Sequence, residues 1–259
     1  MEKLTSILVI LNATGFSEAL RKAEILAQRH GARLEILHLD ARLQGGVQRS
    51  LIARLREGQA DLIVKQASTR FRDDLPLLRA GSTPVLLVRN KAWSACLAIA
   101  VAVDLSKRER AESARAVLHT AGYIAESCHS RIDVVFSRPR SSPEVLQAVW
   151  GEQLRRLVHE FRIGGERLQV LYGAALDTLP AFLKDKGYEL VVLGPFRRHG
   201  LTEVWGNLSS RLAETLDCDF LFTGQNRALR ASDPSGRKSA KTKQTVVKMP
   251  TRTCRESNA

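Results

Sequence analysis

Residues Val191 to Asn207 read VVLGPFRRHGLTEVWGN. A short apolar run without alternation ends at Gly194, as expected of a parallel strand buried on both faces. A glycine-punctuated loop follows, the layout that lays a phosphate against backbone N–H groups at a helix start. That loop carries Pro195, Arg197 and Arg198 where such a cradle favours glycine. Downstream, Leu208, Leu212 and Leu216 align on one helical face and CDFLFT reads as a further buried strand.

Upstream, the same unit starts at the strand LAIAVAVD (Leu97 to Asp104). A helix with Ala114, Val117, Leu118, Ala121 and Ala125 on its apolar face follows, and then the strand RIDVVFS. Ser142-Pro143-Glu144 starts a helix with Leu146, Val149, Trp150, Leu154, Leu157, Val158 and Phe161 on one face. The strand RLQVLYG, a helix from about Thr178 to Lys186 and the strand ELVVLG complete a unit of five strands and four helices. Strand, crossover helix, parallel strand is the βαβ unit, and its repetition predicts an α/β parallel sheet.

The amino-terminal stretch runs through the same order in shorter form. ILVILN is its first strand, Ser17 caps a helix with Ala19, Leu20, Ala23, Leu26 and Ala27 on one face, Gly31 closes it, and RLEILHL is the second strand. About two dozen residues, room for one helix near Val47 to Gly58, separate it from DLIVKQ; a helix over Arg72–Ala80 and the strand PVLLV end the unit. It lacks one strand and one helix relative to its partner. The expected organisation is a truncated domain over residues 1–90, a linker over 91–96, a full domain over 97–224 and a tail over 225–259.

The chain has 259 residues, a formal net charge of +13 and 44% hydrophobic composition, enough for a packed core. From Gln225 onward nine Lys or Arg face only Asp233 and Glu256, so more than half of the charge excess sits in the tail. The tail has no apolar period and is expected to be disordered. Without Phe, Tyr or Trp it can attract phosphates non-specifically but cannot stack bases. The first residues hold too short an apolar run for a signal sequence or membrane span, and the four cysteines are far apart with no CxxC. Cytoplasm, reduced thiols and no membrane partner are the expectations. Walker, GxGxxG, GxSxG and HExxH patterns are absent, and no hydrolase or transferase site can be assembled. Asp73-Asp74 reads as a helix start rather than a cation site.

Three stretches, VVLG with the downstream GNLSSRLAETLDCDFLF, AVAVDLS ending at Asp104, and the amino-terminal SEALRKAEILAQRHGARLEILH, resemble the universal stress protein family in its tandem, universal stress protein E-like branch. The resemblance covers about residues 7–223. It implies two tandem open parallel-sheet domains of strand order 3-2-1-4-5, the first reduced to 2-1-4-5 by loss of an edge strand. It also implies pairing through the fifth strands, PVLLV and CDFLFT, as an internal pseudo-dimer or in a homodimer. In nucleotide-binding members an aspartate ends strand one and the motif's glycines admit phosphates. Here Asp104, Gly194 and Gly206 match. Arg197 replaces the second glycine, the spacing from Arg197 to Gly206 is one residue short, and Asn207 stands where ATP binders have Ser or Thr, with Ser209 next to it. Asn207 also suits a helix N-cap. Arginine can hold a phosphate bidentately or block the pocket. The first unit has Asn12 in place of the aspartate and no glycine in KQASTRFRDDL.

These readings give a non-enzymatic stress-response binding or adaptor protein with an unidentified protein partner and a degenerate nucleotide or anion site, ATP being the cofactor candidate. The alternatives are a weak ATPase and a protein recruited to nucleic acid by its tail.

Overall fold

The computed structural model describes residues 3–12, 17–39, 60–80, 83–105, 109–194 and 202–224. The described residues form nine strands and six α-helices. The first unit has β1 (Ser6–Asn12), α1 (Glu18–His30), β2 (Arg33–Leu39), β3 (Leu62–Gln66), α2 (Leu75–Ala80) and β4 (Val85–Val88). The second has β5 (Ala98–Val103), α3 (Glu109–Ser127), β6 (Arg131–Arg138), α4 (Glu144–Glu160), β7 (Leu168–Tyr172), α5 (Ala175–Lys186), β8 (Leu190–Leu193), α6 (Thr202–Thr215) and β9 (Asp219–Phe222). The helix expected near residues 47–58 and the basic tail lie outside the described residues.

Local chemistry sets the helix ends. The Ser17 hydroxyl accepts from the Leu20 N–H at 3.3 Å, and Gly31 closes α1 at φ 67°, a left-handed conformation that glycine adopts without strain. The helix expected over Arg72–Ala80 is divided into a 3-10 turn at Phe71–Asp73 and the shorter α2. The helix expected from Thr178 starts three residues earlier, at Ala175.

The strands form one sheet in the order β2-β1-β3-β4-β9-β8-β5-β6-β7. Each unit is a doubly wound parallel sheet, and among the described residues the first has the reduced order that loss of its third strand implies. The two are not separate sheets. β4 and β9, the last strands of the units, pair antiparallel, with Val85 opposite Phe222, Leu86 opposite Leu221 and Leu87 opposite Phe220. Every other pairing is parallel.

Alternation along the strands feeds two cores. Ile7, Val9, Val64, Leu86, Ile99, Val101 and Leu221 face α1, α3 and α4 on one side. Leu8, Ile10, Ile63, Leu87, Ala100, Val191 and Phe220 face α2, α5 and α6 on the other. Because successive side chains in a strand point to opposite faces, a sheet covered on both sides is apolar on both, and β4, β8 and β9 are buried throughout, Asp219 at the start of β9 being the one charged exception among them.

One polar cluster crosses the join. Lys22 of α1 and Asp219 of β9, 197 residues apart in sequence, form an ion pair at 2.7 Å, both almost wholly buried. The Asp219 carboxylate also accepts from the Trp93 indole N–H (2.7 Å) and the Arg89 backbone N–H (2.7 Å), and the Lys22 ammonium lies 5.2 Å from the centre of the Trp93 ring. Burial pushes the Asp219 carboxyl above its ordinary value, while Lys22, Arg89 and Trp93 pull it back. Trp93 belongs to the segment expected as a linker, so that segment is packed into the join. On the α1/α3 side, His30 Nε2 lies 2.6 Å from Ser127 Oγ.

Candidate functional site

In an open α/β sheet ligands bind beyond the carboxyl ends of the strands, where the strand order reverses. In the second unit that point is β5, flanked by β8 and β6. Asp104 immediately follows β5 and Gly194 immediately follows β8. Since Val101 is paired with Val192, the two residues leave neighbouring parallel strands on the same rim. Asp104 is partly buried, and so is Gly194. A Cβ built on Gly194 would lie 3.9 Å from Val117 Cγ2 of α3, ordinary van der Waals contact, and Gly194 is not among the glycines with positive φ. Neither backbone conformation nor crowding by the protein therefore requires glycine there. What its missing side chain does provide is an approachable backbone.

The other residues singled out from the sequence fall differently. Arg197 lies outside the described residues. Gly206 and Asn207 are inside α6, whose first residue is Thr202, so Asn207 is the sixth residue of the helix and not its cap. Ser209 is further along the same helix and 4% exposed. The structure thus brings Asp104 and Gly194 together and sets Gly206, Asn207 and Ser209 within one helix.

The rim also holds residues that the sequence reading passed over. Val103 of β5 is paired with Phe136 of β6, so Ser137 is beside Asp104. The Ser137 hydroxyl donates to the Gly173 carbonyl at 3.0 Å and lies 2.9 Å from Thr178 Oγ1. Next along β6, the Arg138 guanidinium carbon is 4.6 Å from the centre of the Tyr172 ring at the end of β7. Arg138 Nε is buried with no hydrogen-bond partner. The only sequence signal was the polar pair that ends an apolar strand in RIDVVFSR.

The same rim of the first unit can be matched by register. Ile7 is paired with Leu62 as Ile99 is with Leu190, so Asn12 takes the place of Asp104 and Gln66 that of Gly194. Lys65 stands where the second unit has Leu193.

Cys128 and Cys218 are poor candidates for a reactive group. Burial raises the Cys218 thiol to about 12, with Asp219 adding to the rise, and burial raises Cys128 to about 11. A thiol held that far above neutral is almost entirely protonated and a poor nucleophile. No helix among the described residues is long and apolar enough to cross a membrane.

Two doubly wound units joined by their last strands define a tandem α/β protein with the fold of the universal stress proteins. No family model matches the chain. Universal stress protein E of Escherichia coli (strain K12) is 25% identical over 199 residues, and that of Salmonella typhi is 25% identical over 198. Each match covers 66% of this chain and 63% of the relative, so the chain spans less than two thirds of the length of the curated relatives it matches. A protein of unknown function from Pseudomonas aeruginosa PAO1 has a similar structure at a TM-score of 0.70 and 22% identity, covering 85% of this chain and 92% of that one. The universal stress protein from Archaeoglobus fulgidus DSM 4304 aligns with a TM-score of 0.54 and 12% identity over 86% of this chain and 87% of its own. In sequence the chain is thus similar to universal stress protein E, and in fold to tandem universal stress proteins.

Proposed function

We infer that the chain is a non-enzymatic, cytoplasmic binding or adaptor module of the stress response, whose second unit takes a nucleotide or another anion. The reading rests on the juxtaposition of Asp104 and Gly194 at the switch point of that unit, where a glycine stands that neither conformation nor packing demands. A carboxylate at this rim is suited to the donor groups of a base or ribose, and the open backbone at Gly194 to a phosphate. Arg197, with Gly206, Asn207 and Ser209, belongs to the same proposed site, the arginine replacing amide donors lost with a second glycine. The unit then holds its anion less closely than a fully glycine-lined loop would. The two units act together as an internal pseudo-dimer, leaving the partner protein to be identified.

Calorimetric titration of ATP into the full chain and into Asp104→Ala tests the reading. Heat of binding is expected from the wild type, reduced or lost in the variant. Silence in both removes nucleotide sensing from this protein, together with any ATPase activity that would depend on it.

A further inference from the structure

The first unit carries a charged cluster on the rim that corresponds to the nucleotide side of the second. Lys65, near the end of β3, directs its ammonium to Asp74 Oδ1 at 2.6 Å, Ser68 Oγ at 3.0 Å and the Gln66 carbonyl at 3.0 Å. The Asp74 carboxylate accepts in addition from the Ser68 hydroxyl (2.7 Å, on Oδ1) and the Ser68 backbone N–H (2.9 Å, on Oδ2). The Asp74 side chain is 1% exposed and that of Lys65 12%.

Asp74 directly precedes α2, where an aspartate ordinarily turns its side chain forward to its own helix. Here both carboxylate oxygens are turned back to the segment leaving β3. The donors that meet them are a backbone N–H, a hydroxyl and an ammonium. These are the groups that hold a tetrahedral oxyanion in a protein, and they gather just after β3, the place in the fold where the second unit has Gly194. We propose that Asp74 is a built-in ligand: its carboxylate fills an oxyanion cradle made by Lys65 and Ser68, and the first unit is closed to phosphate-bearing ligands because that cradle is already occupied.

Three consequences follow. The first unit takes no nucleotide through this rim. The Lys65 ammonium is neutralised internally, so it adds nothing to the attraction of polyanions. And taking away the carboxylate while leaving the donors in place converts the closed rim into a site for a small oxyanion. This inference concerns Lys65, Ser68 and Asp74 alone and stands whether or not Asp104 meets a nucleotide.

The test uses the full chain and inorganic phosphate, with sodium chloride at matched ionic strength as control. Asp74→Ala is expected to bind phosphate saturably and to gain an upward Tm shift of about 3 °C at phosphate concentrations several-fold above its Kd, beyond any shift in the wild type. Adding Lys65→Met is expected to remove the gain. Any phosphate response of the second unit is common to all three proteins, so the difference between them reads the first unit alone. An Asp74→Ala protein that folds and responds to phosphate no more than the wild type overturns the proposal, as does a response that survives Lys65→Met. Should Asp74→Ala not fold, Asp74→Ser decides. Its shorter side chain suits the residue before a helix while vacating most of the cradle and leaving the Lys65 charge uncompensated, so its Tm is expected to rise more steeply with phosphate than that of the wild type, and an equal slope overturns the proposal.

Discussion

Asp61 in the first unit and Glu189 in the second occupy one place in the fold, immediately before or within a residue of β3 and β8, and each ties down the start of its unit's first strand. The Asp61 carboxylate accepts from the Thr5 N–H (2.6 Å), the Thr5 hydroxyl (2.6 Å) and the Ser6 N–H (3.2 Å). The Glu189 carboxylate accepts from the Ser94 N–H (2.8 Å), the Ser94 hydroxyl (2.6 Å) and the Ala98 N–H (3.2 Å). At the opposite rim the likeness ends. Asp104 and Gly194 have Asn12 and Gln66 as their counterparts by register, and the loop after β3 is tied by Lys65 and Asp74. The amino ends of the strands are thus doing the same architectural task twice, whereas the carboxyl ends, where ligands of such sheets bind, have been given different chemistry.

The largest expected effect tests the join between the units. Asp219→Ala leaves Lys22 charged, buried and without its counter-ion, and is expected to cost about 3–5 kcal/mol in urea denaturation. Replacing both partners by apolar residues, Lys22→Met with Asp219→Leu, is expected to recover most of that loss, because neither charge is then stranded. If the single variant is as stable as the wild type, the Lys22–Asp219 pair plays no part in holding the two units together. Next in size, Trp93→Phe removes one donor to Asp219 while keeping an aromatic face near Lys22, with an expected loss of about 1 kcal/mol by the same measurement.

The clamp at the amino ends gives a pH-dependent test. Burial works to raise the Glu189 carboxyl, but the hydrogen bonds from Ser94 and Ala98 and the charge of Lys91 outweigh it and hold the group below its ordinary 4.5. A depressed folded value means that the stabilisation is complete above 4.5 and is lost as pH falls below it through the folded value. Glu189→Gln should therefore be less stable than the wild type near neutrality, with the gap narrowing as the solution is acidified below 4.5. A gap that stays constant over that range would mean that the charge of Glu189 plays no part in the clamp. The smallest effect is chemical. With Cys254 replaced by Ser, a thiol reagent should label exposed Cys96 well before Cys128 or Cys218 under native conditions.

Much of the architecture was legible in the residues because periodicity reports which face of an element is buried. The cap at Ser17, the apolar face of α3 and the unalternating strands gave the repeat, while the pairing of β4 with β9 was implied by the resemblance to universal stress proteins. What periodicity leaves out is the partner. Lys22 lies on the same stripe as Ala19, Ala23 and Leu26, and a lysine there has to meet a counter-charge, but nothing local points to an aspartate 197 residues away. Asn207 is a good cap in isolation, but α6 starts five residues before it. Asp74 was read as part of a helix start, its usual role. Only the coordinates reveal that its carboxylate faces backward to Ser68 and Lys65.

The antiparallel ladder between β4 and β9 has a bearing on how the protein behaves at low abundance. Two strand edges carried by separate subunits meet at a rate and to an extent set by how much of each is present. Carried on one polypeptide, they experience a fixed local concentration that dilution of the sample does not change. The nine-stranded sheet should accordingly persist, with the same shape and the same melting point, from concentrated stock to the sparse levels at which a dissociable pair would come apart.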